Sequence, residues 1–184
     1  MGTVSAAGTF YDNLGLIWID AHPDINTDKT TATGNIHGMP VAALLGKGDK
    51  RLTTIFNDKI KVKPEHVVML GLRDIDPPEA ETLKELNIKY YTYEDMKRLG
   101  IETCLYESIE YLSSLSNIHI SFDIDVMDPD LLPGVSVPVE GGFYVSEAFL
   151  IMDMLIRGLP ISSYDIVEFN AEYDKQDRTV KFAQ

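Results

Sequence analysis

Apolar residues along this chain come in short unbroken runs, with polar or helix-patterned stretches between them. Residues 14–19 read Leu-Gly-Leu-Ile-Trp-Ile, rich in β-branched and aromatic side chains. Such a run predicts a strand buried on both faces, as in a parallel sheet. Residues 67–72 repeat the pattern, Ile118-His119-Ile120-Ser121-Phe122 reads as a third strand, and shorter strands are expected at 88–91 and 162–169. The stretch 38–46 reads as a short helix, with Pro40 in its first turn and Gly46 at its end. Further helices are expected over 79–86, over 102–115 (Leu105, Ile109 and Leu112 at helical spacing), and from Ser146. In that last helix Ala148, Ile151, Met152 and Leu155 form the apolar stripe, Gly158 closes it and Pro160 stops it. No element is predicted for 47–63. Strands alternating with helices give an α/β class, a three-layer αβα sandwich on a mostly parallel sheet, in one domain spanning 1–184.

Each long apolar run ends in acids. Asp20 and Asp24 follow the first, with His22 between them; Asp74 and Asp76 follow the second; Asp123 and Asp125 follow the third. In a parallel sheet these ends share one rim, where open α/β sheets place their ligands. Carboxylates packed together raise one another's pKa unless a cation sits between them. A metal site is the economical reading. Oxygen ligands with one or two imidazoles favour Mn²⁺ or Mg²⁺ before Zn²⁺, and four or five carboxylates favour two ions sharing bridging ligands.

Bulk properties narrow the partners. A net charge of −13 over 184 residues argues against nucleic acid and anionic membrane. No stretch is long and apolar enough to span a bilayer, and no basic-then-apolar leader opens the chain. The single Cys104 excludes an intrachain disulfide and suits a reducing compartment, so a cytoplasmic location is expected. Small residues precede the first strand and a polar stretch ends the chain without a closing helix or strand. Both ends read as cuts through a larger design.

The motifs, taken in order, resemble the ureohydrolases and specifically arginase. They are Asp20-Ala21-His22-Pro23-Asp24-Ile25-Asn26, Thr33-Gly34-Asn35-Ile36-His37-Gly38, and Gly71-Leu72-Arg73-Asp74-Ile75-Asp76. Ser121-Phe122-Asp123-Ile124-Asp125 with Asp128-Pro129, and Asp165-Ile166-Val167-Glu168-Phe169-Asn170, complete the set. The resemblance implies an arginase-like fold, incomplete at its N- and C-termini, and a binuclear manganese site. Its activated hydroxide would attack the guanidinium carbon of L-arginine and yield ornithine and urea. By the same resemblance Asp20 and Asp123 bridge the ions, His22 and Asp125 complete one, and Asp24 serves the other. His37, Asp24 and Glu168 form the catalytic set; Asn26, Thr33, Asn35, Asp76 and Glu168 bind substrate. His37 matches a proton-shuttling histidine, Glu168 holds the guanidinium, and Thr33 stands where many relatives have Ser. A homo-oligomer, trimer or hexamer, is also implied.

Two departures qualify these expectations. The family's remaining metal ligand, a histidine in an upstream Gly-Gly-Asp-His segment, does not occur in this chain. The chain is therefore expected to start just after that ligand and to hold one ion well and the other weakly, with low or no turnover. Val137 stands where relatives commonly have a Thr that helps hold the α-carboxylate. The alternatives are an agmatinase or formiminoglutamase type of ureohydrolase, or a non-catalytic metal-binding member. Asp-Ile-Asn, Thr-Gly-Asn-Ile-His and Arg-Asp-Ile-Asp favour an amino-acid substrate over agmatine. His66, His119, Cys104 and Trp18 read as structural, and Asp74 as a cap or a partner of Arg73.

Overall fold

A computed structural model describes residues 1–184. In chain order its elements are α1 (Gly2–Phe10), β1 (Gly15–Ile19), α2 (Pro40–Leu44), α3 (Lys50–Thr53), β2 (Val67–Leu72), α4 (Pro77–Glu85) and β3 (Lys89–Thr92). There follow α5 (Tyr93–Leu99), α6 (Ile101–Leu112), β4 (Ile118–Asp123), α7 (Val145–Gly158), β5 (Ile161–Val167) and α8 (Arg178–Ala183). The five strands form one sheet in the order β3-β2-β1-β4-β5, and every pairing is parallel.

The unbroken apolar runs have the cause the sequence suggested. β1, β2 and β4 are buried at every position because helices cover both faces. Strand alternation divides β1 between two cores. Ile17 and Ile19 join a cluster with Met96, Leu105, Leu112, Ile151 and Leu155, from α5, α6 and α7. Leu16 and Trp18 face the other way, onto Val4, Val41, Leu44 and Leu83, from α1, α2 and α4. These are the three layers of the sandwich. No helix is long and apolar enough to cross a membrane.

Several local expectations need correction. α1 was not predicted: its residues are mostly small, yet Val4 and Ala7 pack into the second core. α5 was also missed. Thr92 caps it by accepting a hydrogen bond from the Asp95 backbone N–H, a Thr-x-x-Asp start signal. The chain does form a closing helix, α8, whose Phe182 packs on the first core and against Phe122. The last strand ends at Val167 rather than running to 169, because Glu168 adopts φ +61° and leaves the extended region. β5 is an edge strand, with Tyr164 and Ile166 exposed.

The strand order positions the site. From β1 the chain steps outward through β2 to β3, then returns across the sheet to β4 on the other side of β1. The order reverses between β1 and β4, and a crevice opens beyond their C-terminal ends. Asp20 and His22 leave β1 there, and Asp123 and Asp125 stand at the end of β4.

Candidate active site

The turn after β1 is folded by its own carboxylate. Asp20 Oδ1 accepts the His22 backbone N–H at 2.6 Å. The turn after β4 does the same: Asp123 Oδ1 accepts the Asp125 N–H at 2.9 Å. Asp125 Oδ1 in turn accepts the Ala21 N–H at 3.3 Å, which joins the two turns. Asp-x-His and Asp-x-Asp are therefore turn-formers as well as groups able to bind a cation.

The free side-chain atoms converge. His22 Nδ1 lies 3.1 Å from Asp125 Oδ2 and 3.5 Å from Asp20 Oδ1. Asp20, His22 and Asp125 each present a ligand atom within one 4.8 Å group. Asp20 Oδ2 and His22 Nε2 are buried without a hydrogen-bond partner. Unpartnered buried acceptors cost stability unless something binds them. A divalent cation with oxygen and nitrogen ligands suits this donor set, so the residues present fit a metal. Asp24 and Asp123 lie outside the 4.8 Å group, on the wall of the adjoining cavity.

Electrostatics tell the same story. Burial, reinforced by neighbouring carboxylates, raises the pKa values of Asp20, Asp24 and Asp123 well above the usual carboxylate range. Burial alone would lower His22, but its hydrogen bond to Asp125 and the charges of Asp125, Asp24 and Asp74 prevail and raise it to about 9. Burial likewise pushes Asp125 upward, yet the bond from His22 holds it below the normal value.

The crevice is a cavity of about 290 Å³. Its walls carry His22, Asp24, Asn26, Thr33, Asn35, His37, Asp76, Asp123, Asp125 and Glu168, residues singled out from the sequence, together with Val137. Asp20 lies beneath, 1% exposed. His37 is exposed on the short turn Ile36–Gly38. Asn26 Nδ2 donates to Asp76 Oδ2 at 3.2 Å, so two of the expected substrate-binding residues touch. Asp24 and Glu168 both have positive φ, +51° and +61°. Non-glycine residues in that region cluster where a side chain must be aimed for function.

Two participants were not legible in the motifs. Glu79, on the first turn of α4, is buried; its carboxylate accepts the Ile25 N–H and the Asp76 N–H, both at 3.1 Å. It ties the loop carrying Asp24 and Asn26 to the turn carrying Asp76, and it lines the cavity. The Glu three residues after Asp76 was a capping-box signal available in the sequence. Replacing Glu79 with Ala leaves the buried Ile25 N–H unpaired and should cost about 1–3 kcal/mol in urea unfolding. An Ala variant as stable as the parent would contradict this role. The other is Arg73. Its guanidinium does not pair with Asp74, the partner expected from sequence, but donates to the Asp125 and Val126 carbonyls, each at 2.8 Å.

The description "Arginase family" belongs to a family model that matches residues 1–184. The chain belongs to the arginase family. Among its relatives, the arginase of Bacillus subtilis is 42% identical over 183 residues, covering 100% of this chain and 62% of that protein. The native structure of Bacillus caldovelox arginase matches with TM-score 0.95 and 42% identity, over 98% of this chain and 61% of that one. Entamoeba histolytica arginase, solved in complex with L-ornithine, matches with TM-score 0.86 and 34% identity, over 92% of this chain and 57% of that one. This arginase-family chain thus spans about 62% of the length of the relatives it matches. Its five-stranded parallel sheet with helices on both faces is the fold they share.

Proposed function

We propose that this arginase-family chain carries the site of a manganese-dependent hydrolase that splits the guanidinium group of L-arginine to give ornithine and urea. The observation that carries the reading is the convergence of Asp20, His22 and Asp125, two of them with orphaned buried atoms, on a cavity rimmed by Glu168, Asn26 and Asp76. The names of the arginase relatives support it, as does the ornithine held by the Entamoeba enzyme.

Asp20, His22, Asp123 and Asp125 would hold one ion; Asp20, Asp24 and Asp123 would hold a second. When bound, such ions supply Lewis acidity and deprotonate water near neutral pH. Glu168 receives the guanidinium by charge-assisted hydrogen bonds, its aim fixed by the left-handed backbone. Asn26 and Asp76, already bonded to each other, face the amino-acid end of the substrate with Thr33 and Asn35. His37, exposed at the mouth, passes a proton to the departing amine. Val137 offers an apolar surface where a hydroxyl would bind a carboxylate, so weak arginine binding is expected.

Urea release from arginine and from agmatine, with added Mn²⁺ and a parallel metal titration, tests the reading. The expected result is one tighter and one weaker ion, with urea from arginine in preference to agmatine. Mn²⁺ binding without urea from either substrate would make the chain a non-catalytic metal-binding member. Absence of metal binding would sink the proposal.

A further inference from the structure

We infer that Arg73 is a positioning residue for the metal centre: its main chain holds one ligand-bearing turn and its side chain clamps the other beside it. The inference rests on the metal reading of the site given above.

Arg73 is the residue immediately after β2, next to β1 in the sheet. Its backbone N–H donates to the Ala21 carbonyl at 2.8 Å, and the Asp74 N–H donates to the same oxygen at 3.0 Å. Ala21 sits between Asp20 and His22, so the main chain of Arg73 fixes the first ligand turn. Its side chain reaches the second. Nη1 donates to the Val126 carbonyl and Nη2 to the Asp125 carbonyl, both at 2.8 Å; a longer bond joins Nη2 to Val139 at 3.4 Å. Asp125 Oδ1 returns a bond to Ala21 N–H and closes the circuit.

Segments that share no sequence neighbourhood are thus tied at one residue, the first ligand turn through its main chain and the second through its guanidinium. The donors are planar and fixed in separation, and two adjacent carbonyls match that fork. The Tyr93 ring, 5.8 Å from the guanidinium carbon, backs it. No carboxylate forms an ion pair with Arg73, so its charge remains free to act on the carboxylates of Asp125 and Asp20, its strongest and third-strongest electrostatic neighbours. When an ion is bound, the clamp holds Asp125 and His22 at the separation the ion needs. Residues that orient metal ligands from behind commonly set affinity by ten- to hundredfold.

The test is a Mn²⁺ titration of the full chain and of Arg73→Lys and Arg73→Met, followed by calorimetry or by the paramagnetic resonance of free Mn²⁺. Arg157→Met is the control, because Arg157 pairs with Asp153 on the exposed side of α7. Lysine keeps the charge, but one ammonium cannot reproduce the fork across two carbonyls. Both Arg73 variants should bind the tighter ion ten- to hundredfold more weakly, with the lysine variant keeping most of its metal-free thermal stability; the control should bind as the parent does. Variants that melt earlier yet bind Mn²⁺ with parental affinity would reduce Arg73 to a structural residue and overturn the inference. If neither variant folds, the unmodified metal-free chain decides by nitrogen-15 NMR. A clamped guanidinium gives separate, slowly exchanging Nη–H signals, whereas averaged signals overturn it. A parent chain that takes up no Mn²⁺ defeats the metal reading, and the NMR result then judges the clamp alone.

Discussion

The metal-free chain loses thermal stability as pH rises from about 6.5 to 9, and the stabilisation given by Mn²⁺ grows over the same interval. Asp20, Asp24 and Asp123 have pKa values raised by folding, through burial first and neighbouring acids second. His22 is raised from 6.5 to about 9. A group whose folded pKa lies above its unfolded value binds its proton more tightly in the native state. The contribution of His22 is complete below pH 6.5 and is lost as pH rises through 9. Those of the three aspartates are complete below about pH 4 and are lost as pH rises through their raised values. Asp125, which is lowered, acts in the opposite sense, but only where the pH falls below the normal aspartate range.

All four raised groups therefore pull the same way within the window. A divalent ion replaces those protons and binds best when they are gone. At pH 8 and a hundredfold excess over Kd, the gain is about 2.7 kcal/mol, equivalent to roughly 5–11 °C in a chain of this size. Near pH 5 proton competition should reduce it towards zero. Scanning calorimetry at several pH values, with and without Mn²⁺, measures both trends. Metal-free stability that is flat or rising between about pH 6.5 and 9 would contradict the electrostatic account. Asp20→Asn should reduce the metal-free dependence by the share of that one carboxylate and weaken the metal shift together.

Gly142→Ala should be among the most damaging single-methyl additions in the protein. Gly142 has φ +129°, and an added Cβ would meet Met127 C at 2.6 Å, Asp128 N at 2.7 Å and Met127 O at 2.7 Å. Those atoms are backbone and cannot rotate away. They also belong to the segment after Asp125, where the Phe143 N–H donates to the Val126 carbonyl and the Asp128 N–H to the Phe143 carbonyl, each at 3.1 Å. Backbone strain of about 1–3 kcal/mol adds to overpacking of about 1–3 kcal/mol, so the loss should be about 2–6 kcal/mol. Gly141→Ala separates the two effects: Gly141 has φ +77° but open space around it. It should lose only the strain. Equal losses for the two variants in urea unfolding would show that the close approach behind Asp125 is not real.

Much of this was written in the sequence because strong local patterns and global packing agree. The segments 14–19, 67–72 and 118–122 are short and rich in β-branched and aromatic residues, which favours strands over helices. The acids after them were legible because several buried parallel strands each end in carboxylates, and such strand ends share one rim. α1 was not legible: Gly, Ala, Ser and Thr give little periodicity, and only packing on Leu16 and Trp18 side of the sheet makes it a helix. The strand containing Glu168 was read too long because nothing in Val-Glu-Phe announces a positive φ. Arg73 was assigned to its neighbour Asp74, since sequence proximity suggests pairs. Its partners lie 52 and 53 positions away and are carbonyls, which have no sequence signature.

The reversal of strand order has a kinetic consequence. The two ligand turns meet through Ala21 and Asp125, 104 positions apart, and β2, β3 and five helices are threaded between them. Closing so long a loop is an entropic cost met late in folding, once the intervening units have formed. A cation finds only half of its ligands on the nascent chain until β4 has docked beside β1. The binding energy of such an ion would act on the assembled sheet, slowing escape from the native state rather than hastening arrival there. The ion would serve as a lock fitted to a finished door, and the lifetime of the folded chain would follow the supply of manganese around it.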